Sequence, residues 1–364
     1  LGPADPMTAL LAIADCLPPA AMVHFPAPAP ISTMTWTVDV LAQPQSLEGW
    51  VLLHASSEHA GDGYSMQSMM MWGADGAPLA VGRQTVAIFA GGQVMFGGKV
   101  WWITGASSGI GAALADSLGA KGAKLILSGR NQAALAEVQA RCKSDALVLP
   151  FEATDLAALP AIVEQAWAWG GRVDALVNNA GISQRSLAVD TAWEVYRRII
   201  DVDLMAPLAL TQAVLPRMVA AGGGHLVAIS SVAGIVGAPL RAAYSAAKAG
   251  ILAYHDSVRA ETTHQGMKVL VVAPGSVQTN VSKNALDGAA KVRGFSDTAI
   301  DNGIPADVAA SRIVDALEAG QRELILAEGM ELQGALLRRT NPDQLFDVMA
   351  GLVASGYAKK LGAE

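Results

Sequence analysis

The sequence predicts a doubly wound parallel α/β sheet preceded by a smaller, partial α+β module, and three observations predict it. From about Lys99 onward, short apolar β-type runs alternate with longer alanine-rich segments of helical spacing. One of those runs passes directly into a glycine-rich turn and then a helix. Before residue 95 the texture changes to apolar and polar residues in alternation, the pattern of antiparallel strands. A chain of 364 residues is long enough for two domains and a large core. The boundary falls in the glycine-rich joint GGQVMFGG, giving domains 1–94 and 95–364.

Taken in order, a Pro-rich linkage at Phe25 to Ile31 leads into the strand-like runs TWTVDVL, GWVLLHAS, SMQSMMMW and LAVGRQTVAIF. Met69, Met70 and Met71 suit core or interface gaps better than a ligand box. The larger domain follows with KVWWIT, AKLILSG, DALVLP, VDALVNN, HLVAIS, KVLVVA and RELILA as its strands. The carboxy-terminal stretch from Met330 reads as two amphipathic helices. They are expected to cover a pocket, form a subunit contact or lie on a membrane surface, the last disfavoured by their few cations.

Composition narrows the functional class. Hydrophobic residues make up 52% and charged residues 16%, but much of the apolar share is alanine. No uninterrupted run reaches the roughly 18 apolar residues that a spanning helix needs. A soluble, cytoplasmic chain without a membrane partner is therefore expected. The net charge of −7 and the lack of a Lys/Arg cluster argue against nucleic acid. Cys16 and Cys142 stand far apart, and the six histidines form no ligand set, so neither a disulfide scaffold nor a metal site is expected. The amino terminus has no basic region of the secretory kind. Because the chain opens on Leu1, its start reads as a fragment or a processed end.

The chemistry gathers in the larger domain. In VWWITGASSGIG, Val100 to Gly111, the three glycines serve different ends. Gly105 permits the tight turn, Gly109 lets backbone approach a pyrophosphate closely, and Gly111 lets the helix pack on the strand. The helix beginning near Ile110 offers free N–H groups to the phosphates. At the end of the next strand, KLILSGRN, Gly129 and Arg130 stand where a site for NAD(H) would carry an acidic residue. An arginine with no carboxylate nearby suits a 2′-phosphate and so favours NADP(H); the alternative is a solvated strand-end residue.

Tyr244 and Lys248, in YSAAK, lie four apart on one helix face, and Ser231 lies at the end of HLVAISS. For a tyrosine to work as acid and base near neutrality, its pKa of about 10 must fall to roughly 7, a change equivalent to about 4 kcal/mol. A lysine ammonium about 4 Å away at an effective dielectric near 20 supplies that much.

With TGASSGIG, NNAG at Asn178 to Gly181, the Ser231, Tyr244 and Lys248 set and PGSVQT at Pro274 to Thr279, residues 97 to 300 resemble the short-chain dehydrogenase/reductase family. The resemblance implies a Rossmann-type fold and a hydride exchanged between a nicotinamide and the carbonyl or secondary alcohol of a small, apolar substrate. It implies that Tyr244 moves the hydroxyl proton, Ser231 holds the substrate oxygen and Lys248 binds the nicotinamide ribose. It further implies that Ser107, Ile110, Asn179, Gly181, Pro274 and Gly275 line the cofactor, Glu152 meets the adenine and Thr279 reaches the carboxamide. For Asn178, Asn179 and Thr279 the alternative is local: stabilising a strand end, or capping a helix. Family analogy also implies a homo-oligomer and a variable substrate lid over about Val281 to Ile304.

One position departs from the family. In IIDVDLMAP, Asp203 stands where the family carries an asparagine that supports a water-mediated proton relay to the lysine. A carboxylate about 6 Å from the tyrosine would oppose its deprotonation by roughly 2 to 3 kcal/mol. The expected outcomes are a screened or protonated Asp203, a shifted pH optimum, or weak activity.

Residues 1 to about 93 resemble the carboxy-terminal half of double-hotdog, TesB-type acyl-CoA thioesterases, through LLAIADCLPPA, TMTWTVDVL, EGWVLLHASS and DGAPLAVGRQTVAIF. The resemblance implies that Asp15, a hydroxyl at Thr33 or Thr35, and Gln84 orient a water against a thioester, with Thr35 taken as the hydroxyl. Only one hotdog repeat is present, so the alternative is that these residues survive as remnants in a module that only packs or dimerises. Three functions follow: a carbonyl reductase or alcohol dehydrogenase, a bifunctional thioester hydrolase with an attached reductase, or a cofactor-binding protein of little turnover.

Overall fold

In the computed structural model, residues 5–14, 20, 31–42, 50–61, 64–88 and 95–357 are described. The chain divides into two compact units, Leu1–Val94 and Met95–Glu364.

In the first unit, helix α1 (Pro6–Ala14) precedes strands β1 (Ile31–Val40), β2 (Leu52–Gly61), β3 (Tyr64–Trp72) and β4 (Pro78–Ile88). The strands form one antiparallel sheet in the order β1-β4-β3-β2. Alternation in SMQSMMMW does what a period of two dictates: Ser65, Gln67, Met69 and Met71 are buried, and the residues between them are not. On that buried face Leu10 and Ala14 of α1 pack against Met71, Leu79 and Ala80. Among the described residues, a sheet with one helix on one face fits a partial hotdog module.

In the second unit all seven predicted runs are strands. The order along the chain is β5 (Val100–Thr104), α2 (Gly109–Ala120), β6 (Lys124–Ser128), α3 (Gln132–Arg141), β7 (Ala146–Val148), α4 (Leu159–Gly170) and β8 (Ala175–Asn178). Then come α5 (Trp193–Ile200), α6 (Ala206–Ala220), β9 (Gly224–Ile229), α7 (Val232–Val236), α8 (Ala242–Thr262) and β10 (Met267–Pro274). The chain continues with α9 (Thr298–Asp301), α10 (Ala306–Glu318), β11 (Glu323–Leu326), α11 (Gly329–Thr340) and α12 (Pro342–Ala354). The sheet is parallel, in the order β11-β10-β9-β8-β5-β6-β7. From β5 the chain winds outward one way through β6 and β7, then returns to β8 and winds the other way. A crevice therefore opens at the carboxyl ends of β5 and β8, the place where such sheets bind ligands.

Both faces of the sheet are covered, so its strands read as continuous apolar runs. Trp101 and Trp102 are fully buried and point to opposite faces. Trp101 joins Leu114 and Leu118 of α2 and Ile313 of α10. Trp102 joins Ile162 of α4, Leu210 and Val214 of α6 and Ile251 of α8. Each indole N–H is satisfied, Trp101 by the Met95 carbonyl at 3.2 Å and Trp102 by Ser128 Oγ at 2.9 Å.

A π-helical turn, Asp201–Met205, joins α5 to α6 in one helical stretch, Trp193–Ala220. At 28 residues with a mean hydropathy of 1.4 over its most apolar window, it is long and apolar enough to cross a membrane. Leu210, Val214 and Met218 instead bury into the core against the sheet. The two carboxy-terminal helices form as expected, with Leu332 and Ala335 of α11 and Leu345 of α12 packed on Val232 and Val236 of α7.

Candidate active site

The crevice is a cleft of about 570 Å³ that gathers side chains from the ends of β5, β6, β8, β9 and β10. After Thr104 the chain turns through Gly105, whose φ of +65° is a left-handed conformation. Ser108 precedes α2 without a side-chain cap, so the helix presents N–H groups and its positive dipole end to the cleft. A Cβ on Gly111 would stand 2.4 Å from the Gly105 carbonyl oxygen, which is the close helix-on-turn packing expected of it. A Cβ on Gly109 would meet Thr279 at 2.9 Å, so the glycine turn and the Pro274–Thr279 segment face each other directly.

Asn179 lines the cleft but spends its amide on the turn, donating to the carbonyls of Thr104 at 2.9 Å and Gly105 at 3.2 Å. Asn178 donates to Thr211 Oγ1 at 2.8 Å. Both therefore stabilise a strand end. Thr279 Oγ1 accepts from Val281 N–H at 3.4 Å within its own loop. Ser107, Ile110, Gly181, Pro274 and Gly275 line the same cleft.

Arg130 corrects the sequence reading, because a carboxylate does stand beside it: Arg130 Nη1 lies 3.7 Å from Glu152 Oε2. The two residues follow adjacent strands β6 and β7, which bring together positions that sequence distance keeps apart. Both are largely exposed, and a pair of this kind contributes well under 1 kcal/mol. Ser107, Arg130 and Asn131 also line a shallow recess of about 400 Å³.

Ser231, Tyr244 and Lys248 converge on the cleft. Ser231 caps α7, its Oγ accepting from Ala233 N–H at 3.1 Å and donating weakly to the Pro274 carbonyl at 3.3 Å. Lys248 is buried, donates to the Ile229 carbonyl at 3.1 Å and lies 5.6 Å from the centroid of the Tyr244 ring.

Asp203 is fully buried. Its Oδ2 lies 3.2 Å from Lys248 Nζ, a direct ion pair. Its Oδ1 accepts from Ile182 N–H at 2.8 Å. The π-helical turn is what carries the side chain inward, since one extra residue per turn rotates this position out of ordinary helical phase. Burial pushes the Asp203 carboxyl above the usual carboxylate range, against the pull of Lys248 and the Ile182 N–H. Burial alone would lower Lys248, but Asp203 and Tyr244 outweigh it and hold the ammonium above its ordinary value.

Sequence reasoning missed Gln184, which is fully buried and accepts from the N–H groups of Ala243 at 3.0 Å and Tyr244 at 3.3 Å. It thereby caps the start of α8 and fixes the helix that carries Tyr244. Its place shortly after NNAG was the available signal.

In the first unit, Gln84 Nε2 donates to Thr33 Oγ1 at 2.8 Å and Gln84 Oε1 accepts from Gln67 Nε2 at 2.7 Å. The hydroxyl beside Gln84 is thus Thr33 and not Thr35. A bulge between these two threonines is the cause: it puts Thr33 on the face of Gln84, while Thr35 pairs with Thr85 on the other. Asp15 lies outside the described residues.

Residues 99–290 match the family described as short chain dehydrogenase, and residues 2–88 match the acyl-CoA thioesterase C-terminal domain. Dehydrogenase/reductase SDR family member 7B of Mus musculus is 35% identical over 255 residues, 68% of this chain and 79% of the relative. The Drosophila melanogaster SDR family protein 7-like is 36% identical, covering 70% and 80%. A short-chain dehydrogenase from Streptomyces avermitilis superposes with a TM-score of 0.58 at 32% identity, over 73% of this chain and 99% of its own. Levodione reductase gives 0.59 at 26%, over 66% and 99%. A Burkholderia phymatum enzyme solved in complex with NAD gives 0.60 at 23%, over 68% and 95%, a likeness of fold. The cleft, its motifs and these relatives lead to one conclusion: the chain belongs to the short-chain dehydrogenase/reductase family, with a segment ahead of it that matches acyl-CoA thioesterase C-terminal domains.

Proposed function

We propose that the second unit interconverts a carbonyl and a secondary alcohol by hydride transfer, with NADP(H) as cofactor. The observation that carries this reading is the convergence of Ser231, Tyr244 and Lys248 on the cleft that the glycine turn opens. The residues fit a dinucleotide: α2 is uncapped toward the cleft, and Gly109 leaves open the space that a Cβ would take against Thr279. Bound there, the nicotinamide would supply or accept the hydride. Tyr244 gives its hydroxyl proton to the carbonyl oxygen during reduction and takes it back during oxidation. Ser231 holds that same oxygen, exchanging its long bond to Pro274 for one to substrate. Lys248, a buried cation, stabilises negative charge developing on the phenol oxygen. Ile182, Val281, Leu286, Val292 and Ile300 line the cleft with apolar surface, which favours an apolar substrate. Loss of nicotinamide absorbance on addition of a ketone tests the reading, and no change across a panel of ketones and alcohols would refute it.

For the cofactor, Arg130, Ser107 and Asn131 around the recess favour a 2′-phosphate. The weak bond to Glu152 is easily exchanged for two charge-assisted ones. Arg130→Ala is expected to cut kcat/KM for NADPH by about tenfold or more while leaving NADH nearly unchanged. Equal losses with both cofactors would make Arg130 a bystander.

A second reading adds thioester hydrolysis by the first unit, favoured by the Gln67–Gln84–Thr33 chain of hydrogen bonds. Thiol release from acyl-CoA, lost in Gln84→Ala, would support it; no release by the intact protein would dismiss it.

A further inference from the structure

We infer that Glu331, on α11, is a positioning residue that holds the loop Pro274–Thr279 in the shape that receives the nicotinamide end of the cofactor. The inference rests on the reading of the cleft as a dinucleotide site. Glu331 lies beyond the stretch matched by the family, in the carboxy-terminal helices whose role the sequence left open.

Its carboxylate clasps a single residue of that loop twice. Oε2 accepts from the Ser276 N–H at 2.7 Å, and Oε1 accepts from Ser276 Oγ at 2.9 Å. Both are charge-assisted hydrogen bonds with two-point geometry, which fixes orientation as well as distance. Ser276 is flanked by Gly275 and Val277, and both of these line the cleft. The clasp therefore sits directly behind the wall that faces the cofactor.

Gly275 records the same contact from the other side. A Cβ there would stand 2.2 Å from Glu331 Oε2 and 3.0 Å from its Cδ. Any larger residue in place of the glycine of PGSVQT would therefore have to displace the Glu331 carboxylate from its present position. On the opposite edge the Ser276 carbonyl accepts from Ile304 N–H at 2.9 Å, and Gln278 N–H donates to the Ile304 carbonyl at 2.9 Å. Both edges of the loop are held, and among the described residues Glu331 alone holds it with a charge.

The helix that carries the carboxylate is itself anchored. Glu331 lies in the first turn of α11, where the helix dipole favours a negative side chain. One turn on, Ala335 is fully buried, and with Leu332 it packs on Val232 and Val236 of α7, the helix that Ser231 caps. One rigid element thus fixes the loop beside the nicotinamide and the helix behind the serine.

The test compares NADPH, which reaches this loop, with 2′,5′-ADP, which carries only the adenosine end. Glu331→Ala in the full chain is expected to weaken NADPH at least about tenfold and to lower kcat by a similar factor, with 2′,5′-ADP affinity within about twofold of wild type. Preserved 2′,5′-ADP binding also reports that the variant is folded. Ser276→Ala, which removes only the hydroxyl bond, should give a smaller change of the same kind, and Glu331→Gln an intermediate one. Equal weakening of both ligands would mean a general structural role, and unchanged NADPH affinity and kcat in Glu331→Ala would remove Glu331 from the site; either overturns the inference. A wild-type protein that binds neither of these ligands nor NADH would instead overturn the dinucleotide reading itself.

Discussion

At Asp203 a carboxylate sits fully buried against the ammonium of Lys248. In the proposed reaction the ammonium stabilises charge on the phenol oxygen of Tyr244, so a second charge of opposite sign beside it offsets part of that effect. Asp203→Asn keeps the shape and removes the charge. The expected result is an alkaline limb of ketone reduction moved to lower pH by on the order of one pH unit, with NADPH affinity nearly unchanged. A pH profile of kcat/KM checks this, and an undisplaced limb would take Asp203 out of the proton transfer. Some of the chemistry at this scale was legible: YSAAK, the upstream serine and the departure at Asp203 are local patterns. Pairings were not. Arg130 meets Glu152, Gln84 meets Thr33 and Glu331 meets Ser276 only because strands, a bulge and a distant helix bring them together.

Elements were easier to read than contacts, for a physical reason. Parallel strands covered on both faces must be apolar throughout, so all seven announced themselves as short greasy runs. In the first unit one face is buried, and strict alternation marked β3. A β-bulge breaks that parity invisibly, since no residue type in TMTW demands one, and so the hydroxyl was placed at Thr35. The π-helical turn at Asp201–Met205 is equally silent in sequence. The strand-to-helix junction at Gly111 carries the sharpest consequence among these elements. A methyl there would meet the Gly105 carbonyl oxygen at 2.4 Å and Asn179 Nδ2 at 2.5 Å, the first of them backbone that no rotamer change can move. Gly111→Ala should push α2 off the β5 turn, cost about 1 to 3 kcal/mol of stability and weaken NADPH strongly. Thermal unfolding and cofactor titration would show it; a variant that matches wild type in both would mean that the junction is not close-packed.

For the whole molecule, two histidines buried beside the large sheet contribute a sensitivity to acid. His255 is fully buried in α8, with Nδ1 against the Ile251 carbonyl at 2.9 Å. Burial, foremost, holds its pKa down to about 4. His225, stacked on Trp101, is likewise held at about 4 by burial. The unfolded chain binds protons at these positions from about pH 6.5 downward, while the folded chain resists until about pH 4. Stability from these groups is therefore complete above pH 6.5 and is lost as pH falls toward 4, by on the order of 3 kcal/mol for His255. Denaturant midpoints across this range should fall, and fall less in His255→Gln; identical slopes in the two proteins would rule out this histidine as a source of acid sensitivity.

Pre-steady-state absorbance of NADPH mixed with a ketone substrate, in wild type and in Tyr244→Phe, bears most directly on proton transfer from this phenol. The proposed mechanism predicts a hydride-transfer rate at least about a hundredfold slower in Tyr244→Phe, with the NADPH dissociation constant within about a factor of two. A Tyr244→Phe protein that transfers hydride at the wild-type rate would contradict it.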